Sequence, residues 1–343
     1  MNRVAIDLGG SKSQVCIRGA DGVIISEQRI ATRQLRQFFA GLPKSQVIME
    51  TCAEAFAIAD AAVDAGHEVK VVAATLVKEL GVGARGVKTD RRDAQALSAA
   101  ACRVDLPSVA VRSKDSRDLL SRVGARAALV TARTQHINVV RGWMRAQLLT
   151  VTGASENFPK NVRLLAAENG FELPDYIAGL LDVIDALCVQ IAKMDAALDA
   201  LAEKNDVAQR LMSVPGVGTK TAMTFIAVID QPERFRSVAA VEAYTGLTPG
   251  EHSSSGRVRR TGITKAGSSM LRQLLTQASL VLRRTRPTDA CVQWALQVMG
   301  RRGKQVATIA LARKLVRILF VLWRDEKMYD PTLGALPIAQ QSA

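Results

Sequence analysis

The sequence has few of the residues that build disulfide frames, histidine metal centres or base-stacking surfaces. Its 343 residues include five cysteines, widely spaced and without a Cys-x-x-Cys pair, and three histidines in separate segments. Aromatic residues make up 4% of the chain. These numbers exclude a disulfide scaffold, a zinc knuckle and a histidine metal cluster. We expect reduced cysteines in a cytosolic protein and little base stacking.

Long hydrophobic runs are also missing. The first apolar run is short and is interrupted by Asp7, and the most apolar late segment, 306–323, carries Arg313, Lys314 and Arg317. The first pattern does not fit a secretory signal, and the second is typical of an amphipathic helix rather than a membrane span. We therefore expect a soluble protein with no membrane partner.

Acidic residues are outnumbered, 32 against 46 Lys and Arg, which gives a net charge of +14. Most of the excess lies between residues 257 and 318, where 14 basic residues meet one acid, Asp289, for a local charge of 14 − 1 = +13. Such a concentrated positive charge indicates a polyanionic partner.

The first hundred residues alternate between strand-like and helix-like patterns. Strands are predicted at 4–8, 14–18, 22–27, 47–50 and 69–72. Helices are predicted at 33–39, 53–65, 75–80 and 90–102. Three strands joined as hairpins, followed by alternating helices and strands, are the order of a ribonuclease H-like α/β fold.

The middle of the chain is predicted to be helical. Residues 114–149 indicate one long helix with recurring arginines, which form either a solvated face or a face that follows nucleic acid. After a break at 153–174, a heptad repeat predicts a two-stranded coiled coil, and the alternative is a helix packed within its own chain. The repeat consists of Ile177, Leu180, Ile184, Leu187, Ile191, Met194, Leu198 and Leu201.

The remainder of the chain is predicted to be mainly helical. Its opening, "SVPGVGTKTA", places Pro215, Gly216 and Gly218 in a tight turn between helices, as in a helix-hairpin-helix element. Such a turn can offer backbone N–H groups to a phosphate. We predict an α/β domain with its long basic helix at 1–150, a coiled-coil linker at 151–206, a helical domain at 207–330 and a tail at 331–343.

Four carboxylates lie at the ends of predicted elements. Asp7 ends the first strand, Glu50 ends the fourth, and Asp90 and Asp93 in "KTDRRDA" project from one face of a helix. Parallel neighbouring strands would bring Asp7 and Glu50 side by side. Because clustered acids repel one another unless cations neutralise them, the pattern predicts bound divalent metal that acts on phosphoryl transfer.

The glycine turn after Asp7 has a second interpretation, a loop that wraps an ATP phosphate as in sugar kinases. That function requires a later Asp-x-Gly loop that opens a hairpin, whereas the sequence at 64–66 closes a helix. A nucleotide phosphotransferase also has no use for the localised positive charge. We therefore expect no nucleotide cofactor.

Six features together resemble the DEDD transposases of insertion sequences, the family that includes Piv-type DNA invertases and bridge-RNA-guided recombinases. They are Asp7, Glu50, "KTDRRDA", "VPGVGTKTA", "YTGLTPGEHSSSG" and "GITKAGSSMLRQLL". The resemblance covers essentially the whole chain, and it implies a first domain similar to that of Holliday-junction resolvases. Gly9 and Gly10 are a departure, because relatives often have a less glycine-rich turn there.

The resemblance implies a serine recombinase chemistry. A serine hydroxyl attacks a DNA phosphate and forms a phosphoserine, while Mg²⁺ or Mn²⁺ held by the four acids activates the nucleophile and the phosphate. The family's serine follows the proline of a Gly-Leu-x-Pro motif by five positions. That position is Ser254 here, with Ser253 and Ser255 as alternatives.

The resemblance also implies partners. They are double-stranded donor and target DNA, a non-coding bridge RNA, and further copies of the chain in a homodimer or homotetramer, with acids and serine from different subunits at one site. The expected location is the bacterial cytoplasm, on the nucleoid. Nucleic acid is expected to contact Arg122, Arg126, Arg133, Arg257, Arg259, Arg260, Lys265 and Arg272, and further out Arg283, Arg284, Arg286, Arg301, Arg302 and Lys304.

Four alternatives remain open at the level of sequence, and the least favoured is the sugar-kinase-like phosphotransferase, which binding of ATP would support. A hydrolytic junction resolvase would share the acids but needs no serine nucleophile. A protein-only DNA invertase would work without RNA. A non-catalytic nucleic-acid-binding protein would keep the basic surface alone.

Overall fold

The computed structural model describes residues 1–79, 89–254 and 257–331. The chain divides into two compact units, Met1–Arg112 and Ser113–Ala343. The long helix predicted at 114–149 therefore belongs to the second unit, whereas the sequence placed it in a first domain that reaches residue 150. Its packing against later helices, described below, is the physical reason.

A mixed sheet forms the centre of the first unit. Its strands are β1 (Asn2–Asp7), β2 (Lys12–Arg18), β3 (Ile24–Ala31), β4 (Ser45–Glu50) and β5 (Glu68–Val72). The strand order is β3-β2-β1-β4-β5, with β1 antiparallel to β2 and parallel to β4, and with β5 parallel to β4. The helices are α1 (Leu35–Ala40), α2 (Ala55–Asp64), α3 (Ala74–Glu79) and α4 (Asp90–Arg103). The predicted order of elements is confirmed.

Both faces of this sheet are covered. Val4, Ile6 and Met49 pack on one face in a cluster with residues of α1 and α2. Ala5 and Ile48 pack on the other face in a cluster with Leu97 of α4. Because successive strand residues point to opposite faces, strands covered on both sides are apolar in the covered part, as β1 is at 4–6 and β4 at 47–49.

The second unit is mostly helical. Its helices are α5 (Lys114–Ala146), α6 (Phe158–Glu168), α7 (Asp175–Glu203), α8 (Asp206–Met212), α9 (Thr219–Ile229), α10 (Val238–Thr245), α11 (Ser269–Thr285), α12 (Ala290–Arg302) and α13 (Lys304–Arg324). A hairpin of β6 (Pro249–Ser254) and β7 (Arg257–Ile263) stands between α10 and α11. The hairpin and α6 were both missed by the sequence analysis. None of the described helices is long and apolar enough to span a membrane.

The heptad helix α7 packs against α5 of the same chain. Ile177 and Ile184 are buried in a cluster with Ile137, Val140 and Met144 of α5. Helix α5 of the same chain thus covers these heptad positions, because it supplies an apolar stripe at helical spacing. This is the intrachain packing that the sequence left open. The prediction that a second chain covers the repeat is therefore wrong for Ile177 and Ile184. The oligomeric state stays a prediction.

Candidate active site and nucleic-acid-binding residues

Asp7 and Glu50 end adjacent parallel strands. The β1–β4 register ends with Ile6 paired to Met49, and the two acids are the next residue on each strand. Both are half-buried. Because side chains alternate along a strand, they belong to the face of Ala5 and Ile48, which is the face that α4 covers.

Helix α4 starts at the same end of the sheet. Ser98 Oγ lies 3.4 Å from Cys16 Sγ, and Cys16 pairs with Ala5 in the middle of β1. Five helical residues cover about 7.5 Å and two strand residues about 6.6 Å, so Asp93 comes to the level of Asp7.

Asp90 lies one helical turn before Asp93, on the side of β3. Gln14 of β2 pairs with Asp7 on one side and with Arg29 of β3 on the other, and Arg29 Nη2 lies 3.7 Å from Asp90 Oδ2. Thr89 caps the helix, and acids in a first helical turn are also favoured by the helix dipole. The four acids therefore share one end of the first unit.

The described residues contain no group of three or more His, Cys, Asp or Glu side chains close enough to hold a metal ion. The convergence of all four acids on shared metal stays a prediction. The adjacent pair Asp7 and Glu50 does fit Mg²⁺, because this ion is commonly held by one or two carboxylates together with substrate phosphates and water.

Two further acids of the first unit, one beside the turn after Asp7 and one at the middle of β3, were missed by the sequence analysis. A Cβ placed on Gly10 would lie 3.8 Å from Glu54 Oε1, which puts that carboxylate beside the turn after Asp7. Glu27 accepts hydrogen bonds from Arg91 Nη2 at 2.5 Å and from Gln95 Nε2 at 2.5 Å. The hydrogen bonds from Arg91 lower the pKa of Glu27 below its ordinary value, and they tie α4 to the sheet. Because Glu54 follows the candidate ligand Glu50 by only four residues, the sequence could have indicated that it lies near the site. Glu27 gave no such signal, because its partner Arg91 is 64 residues away.

The glycine turn after Asp7 has a steric cause. A Cβ on Gly9 would lie 2.4 Å from the carbonyl oxygen of Lys12, so the turn requires glycine there. Thr32 Oγ1 donates to the Gly9 carbonyl at 2.6 Å and is hydrogen-bonded to Ser13 Oγ at 2.8 Å. These contacts fix the chain that leads out of β1.

In the second unit, Ser254 ends β6 and pairs with Arg257 at the start of β7. Ser253 is paired with Val258, while Ser255 lies outside the described residues. Arg259 and Arg260 are also on β7. Ser254 and Arg257 thus lie on the two paired strands of a hairpin.

The motif glycines explain how this hairpin is held. Gly246 ends α10 with a positive φ of 70°, and Gly267 has a φ of 66°. A Cβ on Gly246 would lie 2.1 Å from the Ala266 oxygen, and one on Gly267 would lie 2.2 Å from the Tyr244 oxygen. The segments before and after the hairpin therefore meet backbone to backbone, which only glycine permits.

Arg272 strengthens the same junction. Its Nη1 donates to the carbonyl oxygens of Ala266, Gly267 and Thr245, the last two at 3.2 and 3.4 Å. Lys265 is exposed in the left-handed conformation, with a φ of 57°. Both residues were predicted to bind nucleic acid, and the contacts of Arg272 give it a structural role as well.

The arginines predicted along the long helix have different surroundings. Arg122 is exposed and pairs with Asp118 one turn away. Arg126 pairs with Asp195 of α7, and Arg133 is buried with Nη1 3.1 Å from Glu156 Oε1. Of these three, only Arg122 is exposed, and its single ion pair is with an exposed acid of the same helix, so it is the best placed to meet a long polyanion.

A basic surface lies at the ends of the last helices. Arg283 Nη1 contacts Met299 Sδ at 3.8 Å, which brings the end of α11 to α12. The exposed cations here are Arg284, Arg286, Arg301, Arg302 and Lys304. By contrast, the turn at Gly216 packs against α11, since a Cβ there would lie 2.6 Å from the Ala278 oxygen.

Two family models match the chain. The model of an IS110-type DEDD domain, described as a transposase, matches residues 4–147. The model described as the transposase IS116/IS110/IS902 family matches residues 208–293. The two matches cover the candidate acids and the candidate serine, respectively.

Curated relatives match over nearly their full length. A probable family 20 transposase of Pseudomonas aeruginosa is 31% identical over 339 residues, 96% of this chain and 99% of the relative. The transposase for insertion sequence element IS1328 of Yersinia enterocolitica is 30% identical over 329 residues, 93% and 96%. The transposase for IS1111A of Coxiella burnetii is 28% identical over 335 residues, 95% and 90%.

Proposed function

The chain belongs to the IS116/IS110/IS902 family of transposases, enzymes that cut and join DNA, and we propose that it does so through a phosphoserine at Ser254 and divalent metal at Asp7, Glu50, Asp90 and Asp93. The observation that supports this proposal best is the end of the first sheet. Two half-buried carboxylates end neighbouring parallel strands there, and the acidic first turn of α4 starts at the same level. We also propose that this unit is a ribonuclease H-like domain, because its strand order follows the predicted pattern.

The four acids would reach the metal from two elements, the sheet and α4. Bound Mg²⁺ or Mn²⁺ would supply Lewis-acid stabilisation of the phosphate oxygens. Asp7 and Glu50 would hold it from the strand ends, and Asp90 and Asp93 would approach it from the first turn of α4. Glu27 keeps α4 in register through Arg91 and therefore acts as a positioning residue.

The covalent step exchanges one phosphodiester for another. The Ser254 oxygen attacks phosphorus and loses its proton, the bond from phosphorus to the leaving DNA oxygen breaks, and that oxygen gains a proton as a DNA hydroxyl. The reverse step, with a hydroxyl of another DNA end, rejoins the strand. The phosphoserine linkage retains the energy of the broken phosphodiester bond, so the strand can be rejoined without a nucleotide cofactor.

Basic residues hold DNA around this chemistry. Arg257, Arg259 and Arg260 follow Ser254 on the same hairpin and are proposed to neutralise phosphates beside the cut, with Lys265 next to them. Arg122 and the basic surface at the ends of α11 and α12 extend the contact. This reaction takes place on bacterial DNA, and thus in the cytoplasm, on the nucleoid.

Sequence recognition is proposed to come from a bridge RNA. The described helices carry no obvious row of base-reading side chains, and charge of this kind contacts phosphates rather than bases. Sequencing the RNA that co-purifies with the protein tests this point. A discrete structured RNA supports guidance, and its absence from active protein supports a protein-only invertase.

Subunits are proposed to share active sites in a dimer or tetramer. A mixture of Asp7→Asn chains and Ser254→Ala chains tests this arrangement, because each active site that combines a wild-type acid set with a wild-type serine recovers cleavage. Failure of every mixed assembly to cleave would count against shared sites.

A DNA suicide substrate tests the chemistry. Wild-type protein should become covalently linked to the substrate, and mass spectrometry should find the link on Ser254. Ser254→Ala should lose the link, while the matched changes Ser253→Ala and Ser255→Ala should keep it. Free cut ends without a protein link would instead support a hydrolytic nuclease.

A further inference from the structure

A pocket of about 240 Å³ lies at the end of the first sheet opposite to Asp7 and Glu50. Arg3, Gln46 and Lys70 line it from β1, β4 and β5, and Arg103 and Asp105 line it where α4 ends. We call it the amino-edge pocket. Its volume far exceeds the roughly 10–15 Å³ that one water molecule needs, so it has room for a larger polar group.

The strand-borne residues of the pocket share one face. Residues two apart on a strand point to the same face, so Arg3 shares the face of Ala5, Gln46 that of Ile48, and Lys70 that of Val72. The three apolar residues pack in one cluster with Leu97 of α4. The register also pairs Arg3 directly with Gln46. Their side chains are thus directed to the space that the end of α4 leaves uncovered.

The pocket carries more positive charge than its own partners neutralise. Lys70 Nζ contacts Asp105 and lies 3.4 Å from the Leu106 carbonyl oxygen. Within the described part of the chain, the guanidinium groups of Arg3 and Arg103 make no hydrogen bond or ion pair. Three basic residues therefore face one acid.

The neighbouring strands add one charge of each sign, because Glu68 of β5 lies opposite Gln46 in the β4–β5 register and Arg18 of β2 lies beside Arg3. Arg18 lies opposite Arg3 in the β1–β2 register, and like charges placed directly opposite repel. Arg18 is itself engaged, with Nε 2.7 Å from Ser98 Oγ and Nη1 2.9 Å from the Gly22 oxygen. The dipole at the C-terminus of α4 supplies only about half a negative charge, which favours Arg103 but leaves Arg3 without a counter-charge.

We propose that the amino-edge pocket binds a backbone phosphate of nucleic acid, with Arg3 and Arg103 as its main ligands. The planar guanidinium fork matches phosphate oxygens, and Gln46 and Lys70 can donate further hydrogen bonds. Arg3 precedes Asp7 by four strand residues, about 13 Å, so this phosphate is separate from the one that is cut. The proposal rests on nucleic acid as the substrate, and it requires neither Ser254 nor bound metal.

Fluorescence anisotropy in EDTA tests the proposal on the full chain, with one labelled DNA duplex and one labelled structured RNA. The variants are Arg103→Gln, which changes an exposed side chain, and the double variant Arg3→Gln with Arg103→Gln. Arg36→Gln is the control, because it removes one exposed charge from α1, outside the pocket. Thermal unfolding verifies that each variant is folded.

The double variant should bind at least one nucleic acid about tenfold more weakly near 0.1 M salt, and the slope of log K against log salt should fall by about 0.9 per lost phosphate contact on duplex DNA. A loss with DNA alone, RNA alone or both supports the pocket and identifies the source of the phosphate. Affinities and slopes equal to those of Arg36→Gln would overturn it. Wild-type protein that binds neither nucleic acid would overturn the proposed function as well.

Discussion

Replacing Gly246 by alanine should destabilise the second unit and displace the hairpin that ends in Ser254. Gly246 closes α10 with a φ of 70°. A Cβ there would lie 2.1 Å from the Ala266 oxygen and 2.4 Å from the Ala266 nitrogen. Because both neighbours are backbone atoms, no side-chain rotation relieves the clash.

The two penalties can be added. A left-handed conformation costs a residue with a Cβ about 1–2 kcal/mol, and forcing an extra carbon into a packed site costs about 1–3 kcal/mol. The free energy of unfolding should therefore fall by about 2–5 kcal/mol. For a unit of this size each kcal/mol lowers Tm by about 2–4 °C, so the expected drop is at least about 4 °C.

Thermal unfolding of the full chain and the yield of serine-linked DNA are the two assays. Gly262→Ala is the matched control on the same hairpin, because a Cβ there meets no atom within 4 Å. We expect Gly246→Ala to lower both Tm and the yield, and Gly262→Ala to lower neither. A Tm for Gly246→Ala within about 1 °C of the control would refute the backbone-to-backbone contact at this glycine.

Three further predictions concern the framework around the sites. Arg91 lowers the pKa of Glu27, so the stabilisation that Glu27 gives is present above the ordinary carboxyl pKa of about 4.3 and is lost as the pH falls through the lowered pKa. The Tm of Glu27→Gln should therefore depend less on acid pH than the Tm of wild type. Ile184→Ala should lower the free energy of unfolding by about 2–5 kcal/mol at every protein concentration, because Ile184 is buried against α5. Val183→Ala, at a site 44% exposed, should change it by less than about 0.5 kcal/mol. A loss for Ile184→Ala that depends on protein concentration would instead indicate an interchain role. Arg122→Gln should weaken DNA binding in anisotropy without changing Tm, Arg126→Gln should lower Tm, and the reverse pattern would contradict their placement.

The first unit was largely predictable from local patterns. Its central strands are apolar in their middle residues and end in acids, and the helix at Asp90 begins with a capping threonine, so strand and helix signals agreed with the final fold. What local patterns could not give was the tie between Glu27 and Arg91, 64 residues apart, because nothing in either segment specifies the other.

In the second unit the same patterns left more open. An apolar heptad specifies a partner face but not its chain, and here α5 provides one within the same chain. The "EHSSSGR" segment has the composition of a loop, and its pairing as a hairpin depends on long-range contacts at Gly246 and Gly267. Arginine spacing on α5 likewise did not distinguish the exposed Arg122 from the buried Arg133.

The carboxyl end of the first sheet, where Asp7 and Glu50 end neighbouring strands, is proposed to hold divalent metal for DNA cleavage. Binding of Mn²⁺ to the full chain, followed by electron paramagnetic resonance, tests it most directly. Asp21→Asn is the control, because Asp21 lies in the β2–β3 turn of the same unit and accepts a hydrogen bond from the Val23 amide. Asp7→Asn and Glu50→Gln should each lose bound Mn²⁺, while Asp21→Asn should retain it. Mn²⁺ binding by both acid variants at the wild-type level would show that these carboxylates do not hold the metal.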